Sequence, residues 1–294
     1  MTARLIDGKG TARVVLQEIG ESIRAHQGDD RAPGLAAILV GDDPASEIYV
    51  RNKMRACEKA GVVGTAHRLP SSAAQQQVAE VIADLNADSR VDGILLQLPL
   101  PKQLDAAALL AQLDPAKDVD GLHTLNLGKL AADDPTGFIP CTPAGVIELL
   151  NRYDINVEGR RVVVVGRSNL VGKPLALLLM RRKTLGNATV TVVHTRSRDI
   201  PQIIGGAEIV IAAAGSPQFV KGDWLRPEAV VIDVGIHRVE DPSGGRPRLV
   251  GDVDFESAVK VAQAITPVPG GVGPMTVAML LSNTVLSWKR SREA

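Results

Sequence analysis

The sequence predicts an α/β protein built as two domains, each organised on a parallel sheet. Its 294 residues are long for one domain and comfortable for two. Residues 34–112 alternate strand-type and helix-type segments in the order β-α-β-α-β-α, the pattern of a parallel layer. A second alternation begins at Val162–Val165, an apolar β-branched run of the kind that forms a strand buried on both faces.

Residues 1–33 read as a lead-in and a helix from Thr11 to about His26, ending in the loop QGDDRAPG. GLAAILVG, 34–41, is the first strand. Asp43-Pro44 then opens a helix, with Asp as N-cap and Pro at the first helical position, and Gly61 closes it. A strand at 64–69, a helix at 72–88, a strand at 91–98 running into a proline-rich rim, and a helix at 104–112 follow. AADDPTGFIPCT, 131–142, is a loop at the expected domain boundary, and Pro143 starts a connecting helix, 143–153. The second run comprises strand 161–165, helix 173–183, strand 188–194, short helix 199–206 and strands 208–214 and 229–234. HRVEDPSGGRPRLVGDV is a hairpin excursion, and AITPVPGGVGPMT, 264–276, is a strand with a second glycine loop. The last helix, to about Trp288, packs back on the first domain.

Bulk properties exclude several classes. Lys plus Arg equals Asp plus Glu, so no global field favours nucleic acid or an anionic membrane. No N-terminal apolar leader and no apolar run long enough to span a bilayer occur. Cys57 and Cys141 make no disulfide framework and suit reduced core thiols in a cytoplasmic protein. The five histidines form no metal-binding pattern, so no metal is expected.

Chemistry concentrates in four places. In VVVVGRSNLVGKP a strand breaks at Gly166, passes Arg167 and Ser168, and reaches Gly172 where an apolar helix begins. Backbone N–H groups and the positive end of a helix dipole there form a cradle for phosphate. The spacing is neither a regular G-x-G-x-x-G nor a P-loop, because the second glycine falls one residue late and Lys173 precedes proline. On helix 44–60, Tyr49 and Lys53 are four residues apart and share a face. Partial burial of such a pair lowers the lysine pKa and makes the amine a base. Short-chain dehydrogenases also use Y-x-x-x-K, but there the glycine-rich turn comes first, and here the order is reversed. Gln97 lies where the strand 91–98 ends, the rim at which open αβ sheets bind ligands. KDVDGL offers Asp118 and Asp120, with Asp-Gly as a turn signature and a carboxylate able to accept two N–H groups of a heterocycle.

YVRNK, LLQLPLP, KDVDG, PCTP, VVGRSNLVGKP and PGGVGPMT occur in this order across nearly the whole chain. Together they closely resemble the bifunctional methylenetetrahydrofolate dehydrogenase/cyclohydrolase family. The resemblance implies that Lys53 is the central catalytic residue, that Tyr49 stacks on or orients the folate, that Gln97 hydrogen-bonds and tunes Lys53, and that Asp120 anchors the pterin ring. It further implies that the loop of Pro269, Gly270 and Gly273 lies against the folate. On the cofactor side it implicates Gly166, Arg167, Ser168, a residue near Thr195 and the backbone at Ile236, and the glycine turn itself adds Gly172 at the helix start.

The cofactor preference can also be read from residues. Sites for NAD place an acid after the second strand to hold the ribose 2′-hydroxyl. Here that strand ends in His194, Thr195, Arg196 and Ser197, and Arg167 sits in the turn, so NADP is expected. The expected architecture is a folate-binding catalytic domain of residues 1–139 plus the helix 275–294, and a Rossmann-like NADP-binding domain of residues 140–274, around a cleft. The expected reaction takes 5,10-methylenetetrahydrofolate to the 5,10-methenyl and then the 10-formyl form, in one-carbon metabolism. A dehydrogenase lacking the hydrolytic step and a non-catalytic NADP-binding regulator are the rival readings. The resemblance also implies a homodimer, and the length leaves no room for an added formate ligase domain.

Overall fold

A computed structural model describes residues 2–28, 31–240 and 247–293. In chain order the elements are β1 (Arg4–Leu5), α1 (Gly8–Gln27), β2 (Gly34–Val40), α2 (Pro44–Ala60), β3 (Val63–Leu69), α3 (Gln75–Ala87), β4 (Gly93–Leu96), α4 (Ala106–Leu110) and α5 (Thr124–Ala131). They continue with α6 (Cys141–Arg152), β5 (Arg161–Val165), α7 (Gly172–Met180), β6 (Thr189–Val193), α8 (Ile200–Gly205), β7 (Ile209–Ala212) and β8 (Val230–Asp233). A hairpin of β9 (His237–Val239) and β10 (Arg248–Val250), then α9 (Phe255–Ala258), β11 (Ala264–Ile265) and α10 (Val272–Glu293) complete the chain. The strands of the expected hairpin pair antiparallel, and its tip lies outside the described residues.

The chain divides into two compact units. One holds Arg13–Cys141 and the residues from Val277 onward; the other holds the residues up to Ala12 and Thr142–Thr276. In the first, β3-β2-β4 form a parallel sheet with β2 in the middle. Every residue of β2 and β4 is buried, as their continuous apolar sequences GLAAILV and GILL require. Ile38, Val40, Ile82, Leu96 and Leu109 share one core on this sheet. From β2 the chain goes to β3 on one side and later to β4 on the other, so a topological switch point lies at β2.

The second unit carries a six-stranded sheet in the order β1-β11-β8-β7-β5-β6, all parallel. The valines of β5 lie at most 3% exposed. Here the switch point is at β5, which passes the chain to β6 on one side and β7 on the other.

The grouping of the chain into units and several element bounds differ from the expectation. Residues 2–12 group with the second unit, because β1 extends its sheet beside β11 and the Ile6 N–H donates to the Ile265 carbonyl at 2.9 Å. The other boundaries fall at Cys141/Thr142 and Thr276/Val277. Helix α5 occupies a stretch to which no element was assigned, and α3 and α6 begin at Gln75 and Cys141 rather than at 72 and 143. No helix among the described residues is long and apolar enough to cross a membrane. No group of three or more His, Cys, Asp or Glu that could hold a metal occurs among them either.

Candidate active site

Helix α2 places the first functional groups. Asp43 caps it by accepting the Ser46 N–H at 2.8 Å, Pro44 fills the first turn, and Gly61 closes it in the left-handed region at φ 80. Its core-facing stripe is Ser46, Val50, Lys53, Cys57 and Ala60, so a lysine occupies a position that the helical period assigns to an apolar side chain. Lys53 is 8% exposed. Its Nζ donates to Gln97 Oε1 at 2.9 Å, and Gln97 Nε2 donates to the Leu98 carbonyl. Gln97 follows β4 directly and is held by its own N–H to the Ile38 carbonyl, at the carboxyl ends of β2 and β4. The sheet therefore fixes the amide, and the amide fixes the amine.

Burial pushes the Lys53 pKa below the ordinary lysine value, and Asp120 and Cys141 act against that shift. No carboxylate pairs directly with Lys53 among the described residues, so desolvation prevails. Tyr49, one turn earlier on the same helix, is 41% exposed.

The two aspartates of KDVDGL have different positions. Asp118 is fully buried and accepts N–H groups from Leu122 and His123 and the Asn126 side chain, at 3.2, 2.8 and 2.8 Å. It shapes the turn into α5. Burial pushes its carboxyl up to about 6, against the pull of those donors. Asp120 keeps partial exposure and stands close enough to Lys53 and Cys141 to bias both.

Sequence reasoning missed two members of this cluster. Cys141, read there only as a core thiol, is fully buried with Sγ donating to the Val119 carbonyl at 3.2 Å. Burial and the nearby Asp120 hold its thiol well above the ordinary pKa, so it stays neutral beside Lys53. Asn283 on α10 donates to the carbonyls of Val119 and Ile139 at 2.9 and 3.0 Å and fixes the backbone on both sides of the cluster. The PCTP motif marked Cys141 without its neighbours, and nothing in the sequence marks Asn283.

The second unit gathers the expected cofactor residues at one rim. Gly166 has φ +129, and a β-carbon there would overlap the Ala213 carbonyl. A β-carbon at Gly172 would overlap the carbonyl of Gly166, so the turn closes tightly onto the start of α7. Ser168 ties the turn by accepting the Val171 N–H at 3.1 Å with its hydroxyl and the Lys173 N–H at 3.0 Å with its carbonyl. Arg167 is exposed on this turn. Thr195 and Arg196 are exposed after β6, and Ile236 is 46% exposed after β8. Gly166, Arg167, Ser168, Gly172, Thr195 and Ile236 thus all lie beyond the carboxyl ends of one parallel sheet. The tight glycine turn, the helix N-terminus and the exposed guanidinium fit a dinucleotide bearing an extra phosphate.

The glycine loop belongs to the same unit. Gly270 has φ +104 and accepts the Lys9 N–H at 2.8 Å through its carbonyl, while Pro269 and Gly273 are exposed.

Two family models match the chain. Residues 6–120 match the catalytic domain of tetrahydrofolate dehydrogenase/cyclohydrolase, and residues 140–292 match its NAD(P)-binding domain. The chain belongs to the tetrahydrofolate dehydrogenase/cyclohydrolase family. The bifunctional protein FolD of Desulfovibrio desulfuricans is 54% identical over 287 residues, 97% of this chain and 98% of that relative. Among solved structures, the methylenetetrahydrofolate dehydrogenase-cyclohydrolase of Trypanosoma brucei, complexed with NADP cofactor and an inhibitor, is 40% identical with a TM-score of 0.94 and full coverage of both chains. The bifunctional FolD enzyme of Campylobacter jejuni is 42% identical with a TM-score of 0.92, covering 98% of this chain and 99% of that one. The family is thus a bifunctional dehydrogenase and cyclohydrolase, and this chain carries both of its domains.

Proposed function

We propose that the chain oxidises 5,10-methylenetetrahydrofolate to the 5,10-methenyl form with NADP and hydrolyses that product to 10-formyltetrahydrofolate. The observation that carries this reading is Lys53, buried on the sheet-facing stripe of α2 with its amine on Gln97 at 2.9 Å. NADP, when bound, supplies the acceptor for hydride.

The chain's own groups divide the labour. Hydride loss from a methylene flanked by nitrogens leaves a cation that their lone pairs stabilise, so the residues' main task is alignment. Tyr49, at the exposed edge of α2, suits stacking on the folate, and Asp120 suits accepting N–H groups of its pterin. The loop of Pro269, Gly270 and Gly273, with Gly270 at φ +104, lets a ligand approach its backbone closely. Hydrolysis instead needs an activated water and a proton acceptor. Lys53, its cationic form disfavoured by burial, serves as that base, and Gln97 accepts a hydrogen bond from it and keeps it aimed.

Gly166, Arg167, Ser168, Gly172, Thr195 and the Ile236 backbone are the groups that would hold NADP, with Arg167 on the 2′-phosphate. We assign folate binding to the unit of Arg13–Cys141 and cofactor binding to that of Thr142–Thr276. A cytoplasmic homodimer agrees with the family resemblance, and the two unpaired buried thiols suit a reducing compartment. The intact Lys53–Gln97 pair argues against a dehydrogenase without hydrolase activity. Supplying methenyltetrahydrofolate without NADP tests the hydrolytic assignment: its absorbance decays faster with enzyme than without. Equal decay in both would refute it.

A further inference from the structure

The loops after β7 and β8 are tied by a buried carboxylate that no sequence motif singled out. Asp252 follows β10, and its side chain is fully buried. Its Oδ2 accepts the Gly215 N–H at 3.0 Å. Its Oδ1 accepts the Ser216 N–H at 3.0 Å and the His237 Nε2–H at 2.7 Å. Gly215 and Ser216 lie just past β7, and His237 lies just past β8 beside Ile236. A single carboxylate therefore joins two neighbouring crossover loops at the rim of the parallel sheet.

That rim is where an open parallel sheet binds its ligand. The β5 turn presses on the same place, since Gly166 packs against the Ala213 carbonyl, two residues before Gly215. The anchor beneath the carboxylate is separate. Asp233 Oδ1 accepts the Asp252 N–H at 2.9 Å, and Asp233 Oδ2 accepts that of Val253 at 2.9 Å. The Gln218 N–H donates to the Gly251 carbonyl and the Val220 N–H to the Asp252 carbonyl, each at 2.9 Å. The main chain around Asp252 is thus fixed without its side chain. What the carboxylate alone adds is the position of Gly215, Ser216 and His237.

We propose that Asp252 is a positioning residue for NADP: through Gly215, Ser216 and His237 it sets the walls against which the dinucleotide lies. This rests on the reading of the Thr142–Thr276 unit as the NADP site. Asp252→Asn is the first test. An asparagine offers one oxygen where three donors converge, so its amide NH₂ must face at least one of them. The Kd for NADPH, titrated on the protein without substrate, is expected to rise about tenfold. The KM for NADP should rise similarly while kcat at saturating NADP changes less than about twofold. A purely structural role would lower the melting temperature and leave the Kd of the folded protein unchanged, which would overturn the proposal.

His237→Leu and His237→Gln keep the inference falsifiable if Asp252→Asn does not fold. Leucine should weaken NADPH binding severalfold, and glutamine, which keeps an N–H donor, should restore it. Equal affinity for both variants and the wild type would overturn the proposal. Failure of the wild-type protein itself to bind NADPH would instead overturn the cofactor reading, and the proposal with it.

Discussion

Replacing Lys53 with methionine separates the two reactions. The side chains have similar length, so the substitution removes the amine and leaves the packing of the α2 stripe nearly filled. Two opposed effects set the stability change. The buried ammonium's desolvation disappears, which favours folding. Gln97 Oε1 loses its donor at 2.9 Å, which costs about 1–3 kcal/mol. Their near-cancellation predicts a melting temperature within about 4 °C of wild type. The kinetic effect is larger, because loss of a positioned base costs roughly 10²–10⁴-fold. Hydrolysis of methenyltetrahydrofolate should fall by that factor, while NADPH binding, titrated by fluorescence, stays unchanged. Hydrolysis within a few-fold of wild type in a folded Lys53→Met protein would refute the assignment of the base.

Three further outcomes follow from the geometry. Burial lowers the Lys53 pKa, so hydrolysis should rise with pH along a limb below the ordinary lysine range; Gln97→Glu, which puts a carboxylate against the amine, should move that limb to higher pH, and an unmoved pH–rate profile would count against the pair. Asp118 titrates near 6 when folded against about 3.9 unfolded, so the folded state holds this proton more tightly and stability from the protonated form is lost as pH rises from about 4 to about 6. In urea melts across that interval the wild type should lose up to about 3 kcal/mol more than Asp118→Asn, which cannot titrate there but keeps Asp233, whose buried carboxyl is also pushed up to about 6. Arg167→Ala should weaken NADP binding by about tenfold or more and NAD binding much less; equal losses by calorimetry would remove the guanidinium from the 2′-phosphate.

The sequence was most legible where local signals agreed. Asp43, Pro44 and Gly61 marked α2 at both ends, and the valine run before Gly166 marked β5 and its turn. Helix α5 was invisible because its N-cap is His123, whose Nδ1 accepts the Leu125 N–H at 3.0 Å, rather than one of the usual capping residues. Strand β1 is two residues long and exposed, and only its partner β11, far away in the chain, makes it a strand. The Tyr49–Lys53 spacing was readable, but the burial of the amine depends on a sheet that spacing does not describe. Cys141, Asn283 and Asp252 act through contacts with residues distant in sequence, which no local pattern encodes.

A single coupled time course tests the whole reading most directly. Wild-type protein receives 5,10-methylenetetrahydrofolate with NADP or, in parallel, NAD, and reduced cofactor and methenyltetrahydrofolate are followed together by absorbance. NADPH should accumulate steadily while methenyltetrahydrofolate stays low or decays as it is hydrolysed, with slower progress in NAD. Methenyltetrahydrofolate accumulating in step with NADPH and then disappearing no faster than it does without enzyme would contradict a bifunctional site built on Lys53.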